Sequence, residues 1–260
     1  RFAAGDYSTP TDSILQHTVP KRIGIVLPSS NSVLEPLVAR LPPQSEATFH
    51  FSRLGVIDIT LDPASLAQFT LQGQVAVGAL LCDAEVDCVV WGGTSASWLG
   101  VDHDFEFCKM FTETTGVPAG SCVLEINRFL ASRRVKTFGL VTPYTTEVQQ
   151  KIIDNYQRLG FSCVGEQHYG GALSNDYATI DPNVIAQMVR DVATHAPDVI
   201  LIMCTNMCGA TIAAPLTAET GIPVIDSAAI TLQAGLRLAK ARPLKILDDP
   251  LHLGDSEPEG

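Results

Sequence analysis

Cys204 opens the segment Cys204-Thr205-Asn206-Met207-Cys208-Gly209 directly after an apolar run, and Thr94-Ser95 follows Gly92-Gly93 after another. A thiol at a strand end beside a helix N-terminus can have its pKa lowered from about 8.5, which makes thiol and thiolate both accessible near neutrality. Such a group can give a proton to carbon or take one from it. The hydroxyls of Thr94, Ser95 and Tyr144, with backbone N–H groups near Ser29, Ser95 and Thr205, can hold a carboxylate whose second negative charge develops as an enediolate forms. The plainer reading of Gly-Thr-Ser is a turn that caps the next helix. Four polar loops at equivalent places argue for a site instead.

Those loops end strands. The runs 22–28, 48–54, 87–92 and one near Val117 read as buried strands separated by helical patterns, and 136–143, 161–165, 198–204 and 222–226 repeat the series. Strands alternating with helices make a parallel sheet with crossover connections. The halves also match residue by residue. Gly24 pairs with Gly139, Thr94-Ser95 with Thr205-Asn206 and Gly116 with Gly221, at offsets of 115, 111 and 105 residues. Near-constant offsets are the mark of a duplication. The expected fold is α/β: two Rossmann-like (flavodoxin-like) lobes with parallel sheets related by a pseudo-twofold axis. Ligands bind beyond the carboxyl ends of such strands, so the loops Pro28–Asn31, Gly92–Ser97, Thr142–Thr145 and Cys204–Gly209 should line one cleft between the lobes. Superimposing the halves sets Gly93 opposite Cys204.

A net charge of −11 disfavours nonspecific attachment to nucleic acid or to anionic membranes. No apolar run reaches the roughly 18 residues of a membrane span, and residues 1–20 lack the sections of a signal peptide. Cytoplasmic residence is the default expectation. Residues 1–20 and the acidic stretch 243–260 read as loosely attached tails. Cys82, Cys88, Cys108, Cys122 and Cys163 read as small core hydrophobes, and Cys208 has no third partner for a metal site. Arg53 suits an anionic substrate or a solvated surface equally. His103 reads as a surface residue, with Asp102 and Asp104 beside it as a helix-start cluster. Asn31 can cap the helix beginning near Ser32.

Taken together, Pro28-Ser29-Ser30-Asn31, Gly92-Gly93-Thr94-Ser95-Ala96-Ser97, Thr142-Pro143-Tyr144-Thr145, Cys204-Thr205-Asn206 and Thr220-Gly221-Ile222-Pro223 resemble the aspartate/glutamate racemase superfamily. The branch is the one containing arylmalonate decarboxylase and maleate cis-trans isomerase, and the resemblance covers roughly residues 21–241. It implies two lobes with the site between them, no metal or organic cofactor, a small carboxylic-acid substrate and, without surprise, a homo-oligomer. It also implies that the last helix, about 228–241, returns to the first lobe, giving lobes of 21–120 plus 227–242 and of 121–226.

The two subfamilies point different ways. Similarity to the isomerase makes Asn31, Tyr144 and Asn175 carboxylate-binding residues, but that enzyme's first cysteine corresponds to Gly93, which is expected to leave space where relatives carry a second thiol. Similarity to the decarboxylase, which also carries glycine before Thr-Ser, makes Thr94, Ser95 and Tyr144 the holders of the retained carboxylate and Cys204 the proton donor. It also sets Val56 and Ile59 near a small apolar pocket for the departing carboxylate. One cysteine suits one proton. The expectation is therefore a cofactor-independent decarboxylase of a substituted malonate-type acid. The alternatives are a cis-trans isomerase or racemase of a small dicarboxylate and, more distantly, a noncatalytic carboxylate-binding protein.

Overall fold

The computed structural model describes residues 19–41 and 46–243. Apart from positions 19, 20 and 243, the two expected tails lie outside the described residues. The first half runs β1 (Lys21–Pro28), α1 (Leu34–Ala39), β2 (Ala47–Leu54), α2 (Pro63–Leu66), α3 (Leu71–Ala79), β3 (Cys88–Trp91), α4 (Ala96–Leu99), α5 (Val101–Thr115) and β4 (Ala119–Ser121). Then come α6 (Cys122–Ser132), β5 (Thr137–Thr142), α7 (Thr146–Arg158), β6 (Ser162–His168), α8 (Pro182–Ala193), β7 (Val199–Ile202), α9 (Ala213–Thr220), β8 (Val224–Asp226) and α10 (Ser227–Leu238). Two 3₁₀ turns, Leu80–Ala84 and Ser174–Thr179, complete the described chain.

The strands form two four-stranded parallel sheets of identical topology, β2-β1-β3-β4 and β6-β5-β7-β8. Burial explains the order. The inner strands β3 and β7, Cys-Val-Val-Trp and Val-Ile-Leu-Ile, are buried at every residue, as strands covered by helices on both faces must be. The edge strand β6 has only exposed and half-buried residues. Gly116 (φ 74°) and Gly221 (φ 71°) end α5 and α9 at equivalent places, where the left-handed backbone favours a residue without Cβ. This explains the repeated Thr-Gly-Val/Ile-Pro pattern.

Two helices join the lobes. α6 leads from β4 to β5, and α10 leaves β8 to pack on β1, β3, β4 and α6. Its Ala228, Leu232 and Leu236 meet Ile23, Ile25 and Leu27 in one apolar cluster. The buried Glu125 of α6 accepts from Arg128 on its own helix and from Arg237 of α10 at 2.9 Å, tying the two connections together. A second cluster runs without a break from Val26 and Trp91 of the first sheet to Val141 and Ile202 of the second. No helix among the described residues is long and apolar enough to cross a membrane.

Several boundaries differ from the sequence expectation; β6 runs on to His168 beyond the expected 165, and β8 starts at Val224 and not at 222. The strand expected near Val117 is Ala119–Ser121, because Gly116 and Pro118 occupy the turn. The last helix is Ser227–Leu238, its start fixed by the Asp226 carboxylate accepting from Ala229 N at 2.9 Å. The strand expected over 198–204 stops at Ile202, which leaves Met203 and Cys204 on the loop.

Candidate active site

The switch point of each sheet lies between β1 and β3 and between β5 and β7, and the loops leaving these strands meet there. They enclose a cavity of about 20 Å³, room for roughly one water molecule. Its polar wall is Thr94, Ser95, Cys204, Thr205, Asn206 and Ser174, and its apolar wall is Ile59, Phe69, Trp91, Trp98, Tyr144 and Tyr177. No side chain of the lining is charged. The aromatic rings brace each other edge to face: Phe69 against Trp98 at 5.9 Å between centroids, Trp98 against Tyr144 at 5.0 Å and Tyr144 against Tyr177 at 5.6 Å.

The thiol stands at the centre. Cys204 is 4% exposed and sits on the turn after β7, with Asn206 N–H donating to Sγ at 3.4 Å. Contrary to the expected lowering, burial pushes this thiol up to about 12, only partly opposed by hydrogen bonds with the Tyr144 hydroxyl and the backbone N–H of Asn206. The physical reason lies in the fold. Helix α9 does not begin until Ala213, so the helix that follows β7 does not set its N-terminus at the sulfur. Burial therefore favours the neutral thiol at neutral pH.

Around it the donors form a connected set. Tyr144 Oη and Thr94 Oγ1 are 2.7 Å apart, and the Tyr144 phenol is held well above its ordinary value, first by burial and then by the nearby sulfur. Trp91 Nε1 donates to Ser95 Oγ at 3.0 Å, which leaves the Ser95 proton free to turn toward a ligand. The backbone N–H groups of Thr94, Ser95, Cys204 and Thr205 donate to no protein acceptor among the described residues. The two pairs, one from each lobe and offset by one residue in the repeat, have the donor chemistry of an anion cradle.

Other expected site residues lie elsewhere. Ser29 N–H is spent on Leu54 O at 2.6 Å and its exposed side chain on the backbone of Val56, so it offers the cradle nothing. Asn31 is buried, but its amide is committed: Nδ2 donates to Thr205 O at 3.0 Å, and Oδ1 accepts from Val33 and Leu34 N–H ahead of α1. Asn175 is exposed; its neighbour Ser174 is the residue that lines the cavity. Of the two apolar candidates, Ile59 lines the cavity, whereas Val56 is wholly buried behind it.

Gly93 corrects a further expectation. A Cβ there would lie 2.6 Å from Trp91 Cζ2 and 2.7 Å from Cε2. The position opposite Cys204 is therefore filled by the Trp91 indole rather than left open. Arg53 braces the first loop, donating to Ser29 O at 3.0 Å and Asn31 O at 2.8 Å and pairing with Glu35. His103 is half-buried and holds Phe69 O through Nε2 at 2.9 Å. Asp104 is not part of an exposed helix start: it is wholly buried. Half-buried Cys208 reaches only Ala178 O, at 3.7 Å. A larger cavity of about 440 Å³ opens between α6 and α10, away from every one of these groups.

Lining residues that the sequence did not single out are Asn206, whose pairing with Ser95 in the repeat was the available signal, and Phe69, Trp91, Trp98, Ser174 and Tyr177. Ser174 arrives through a backbone ribbon over the site. Ile59 N donates to Ala172 O and Ser174 N to Ile57 O, both at 2.8 Å, joining the loop after β2 to the segment after β6.

Two lobes of repeated topology, each a four-stranded parallel sheet with helices, make the two-lobed fold of the aspartate/glutamate racemase type. Within it, a family model described as arylmalonate decarboxylase matches residues 23–244, and the chain belongs to that family. Solved structures share the fold. A cysteine-to-serine variant of maleate cis-trans isomerase from Nocardia farcinica, with a covalently bound succinylcysteine intermediate, is 20% identical, covers 87% of this chain and 98% of its own, and has a TM-score of 0.77. Maleate isomerase from Pseudomonas putida S16 is 22% identical over 85% of this chain and 93% of its own, with a TM-score of 0.75. A liganded Gly-to-Cys, Cys-to-Ser variant of arylmalonate decarboxylase is 20% identical over 88% and 99%, with a TM-score of 0.77. Among curated proteins none matches the chain.

Proposed function

We propose that the chain is a cofactor-independent decarboxylase of a substituted malonate-type acid, with Cys204 as its single proton donor. The observation that carries the reading is the Trp91 indole over Gly93, where an added Cβ would stand 2.6 Å from the ring. A second thiol opposite Cys204 has no room. Isomerisation by a nucleophile plus a second group, and racemisation by proton exchange on two faces, both need that partner. Decarboxylation does not.

In the proposed reaction the retained carboxylate binds the cradle of Thr94, Ser95 and Tyr144 hydroxyls and the N–H groups of both loops. The bond from Cα to the second carboxylate breaks, carbon dioxide leaves, and the electron pair stays on Cα, delocalised as an enediolate over the retained carboxylate. Charge that develops there meets donors already aimed at it in a water-poor site, where a single donor is worth about 10²–10³ in rate. The Cys204 S–H proton then transfers to Cα, and the thiolate regains a proton from solvent. A thiol held up to about 12 is protonated at the start of each turnover and regains its proton readily. The uncharged lining supports the same reading, since it offers no cation to hold a second carboxylate in place.

The test is proton NMR in D₂O with phenylmalonate, maleate and both aspartate enantiomers. Loss of phenylmalonate with one deuterium in the monoacid supports the proposal; conversion of maleate alone overturns it.

A further inference from the structure

Asn206 touches three things at once. Its Oδ1 accepts from Ser32 N–H at 2.9 Å, and its Nδ2 donates to Ser30 O at 3.3 Å, so its side chain grips the loop after β1 in the opposite lobe. The same Nδ2 donates to Ser174 O at 2.6 Å, at the end of the ribbon over the site. Its backbone N–H donates to the Cys204 sulfur at 3.4 Å. Asn31 returns the grip from the first lobe, donating to Thr205 O at 3.0 Å and to Thr205 Oγ1 at 3.3 Å. Both asparagines are buried, and all four amide N–H bonds are committed.

A cavity of about 20 Å³ does not hold a malonate-type acid, and on the decarboxylase reading the site must open for substrate to enter. Opening between the lobes breaks the bonds that cross there, and the reciprocal asparagines supply four of those beside the thiol. When they re-form, the N–H of Asn206 returns to one side of the sulfur. A sulfur accepting there turns its own proton the other way, toward Tyr144 and the cavity.

We propose that Asn206 is a positioning residue which, with Asn31 as its reciprocal partner, couples closure of the lobes to the aim of the Cys204 proton. The proposal rests on the decarboxylase reading for its kinetic consequence and on geometry alone for its effect on the thiol. Asn31 is then a clasp residue and not a substrate ligand.

The test uses full-length Asn206→Ala and Asn31→Ala proteins in two assays. In the first, phenylmalonate turnover is measured: kcat should fall about tenfold or more in each variant while KM moves by less than about threefold, and the double variant should be little worse than either single one, as expected of residues acting as one unit. In the second, Cys204 is alkylated with iodoacetamide across pH and read by peptide mass spectrometry. The native thiol, raised to about 12, should resist at pH 9–10, whereas in the variants water enters and reaction should rise near the ordinary value of 9. Cys88, buried far from the loops against Gly235 O, should stay protected and so reports that the fold is intact. If Asn206→Ala does not fold, Asn31→Ala alone carries both assays, because it leaves Thr205 bonded to Gly92 O at 2.9 Å. Unchanged Cys204 alkylation in the variants overturns the proposal. Native protein inert to phenylmalonate overturns the decarboxylase reading instead, and alkylation still judges the clasp.

Discussion

Adding one methyl group at Gly93 tests why this site has a single thiol. In Gly93→Ala the new Cβ lies 2.6 Å from Trp91 Cζ2, 2.7 Å from Cε2 and 3.1 Å from Nε1, all on a rigid ring that is itself fully buried. Contacts that short are relieved only by moving the indole, which overpacks a core at a cost of about 1–3 kcal/mol. Movement also strains the Trp91 Nε1 to Ser95 Oγ hydrogen bond of 3.0 Å, a loss of about 1 kcal/mol. For a chain of this size each kcal/mol lowers the melting temperature by about 2–4 °C, so a total of about 2–4 kcal/mol should lower melting by roughly 4–16 °C. Trp91→Phe removes Cζ2 and Nε1 and should relieve the clash. In a cycle of chemical denaturation on the native protein, both single variants and the double variant, Gly93→Ala should cost at least about 1 kcal/mol less in the Trp91→Phe background. A Gly93→Ala protein as stable as the native one, or equal costs in both backgrounds, would refute the steric reasoning.

Tyr144→Phe removes the hydroxyl shared with Thr94 at 2.7 Å; it should lower kcat by about 10²–10³ in a turnover assay while the protein keeps its circular dichroism spectrum. Several buried and half-buried thiols are held above their ordinary value of 9 by loss of solvent, Cys88, Cys108 and Cys204 at about 12 and Cys163 at about 11. The folded state keeps protons that the unfolded chain releases above pH 9, so their contribution is complete below pH 9 and is lost as pH rises toward 12. Melting temperature should therefore fall steadily across that window, visible by calorimetry under reducing conditions. Asp104 is wholly buried, and burial raises its carboxyl above the usual range, so the unfolded chain ionises at a lower pH than the folded one and stability is lost as pH rises above 3.8. Asp104→Asn, which cannot ionise, should raise the unfolding midpoint in urea at pH 7, and a lower midpoint would count against the buried-acid reading.

Much of this architecture was legible because the chain repeats itself. The apolar runs, the Thr-Gly-Val/Ile-Pro turns and the matched loop dipeptides need only periodicity and turn chemistry to be read, and they led to two parallel sheets and to Thr94, Ser95, Tyr144, Cys204 and Thr205 around one cavity. What was not legible depends on neighbours distant in sequence. The thiol's pKa is set by how deeply the folded chain buries it, which the motif around Cys204 does not encode. Gly93 looked like space because the sequence does not show where the Trp91 ring lies, two residues earlier. Asn31 and Asn206 have the same side chain as a carboxylate ligand, and only the contacts 174 residues away in the chain reveal that their amides are already spent. Ser174 enters through a ribbon between two irregular segments, where no strand pattern marks the pairing.

The measurement that bears most directly on the central claim is proton NMR of phenylmalonate with native and Cys204→Ala protein in D₂O, with maleate alongside. The account expects native protein to yield phenylacetate carrying a single deuterium at Cα, to leave maleate untouched, and to lose nearly all turnover with the thiol. Retained decarboxylation by Cys204→Ala, or fumarate formed from maleate while phenylmalonate persists, would contradict it.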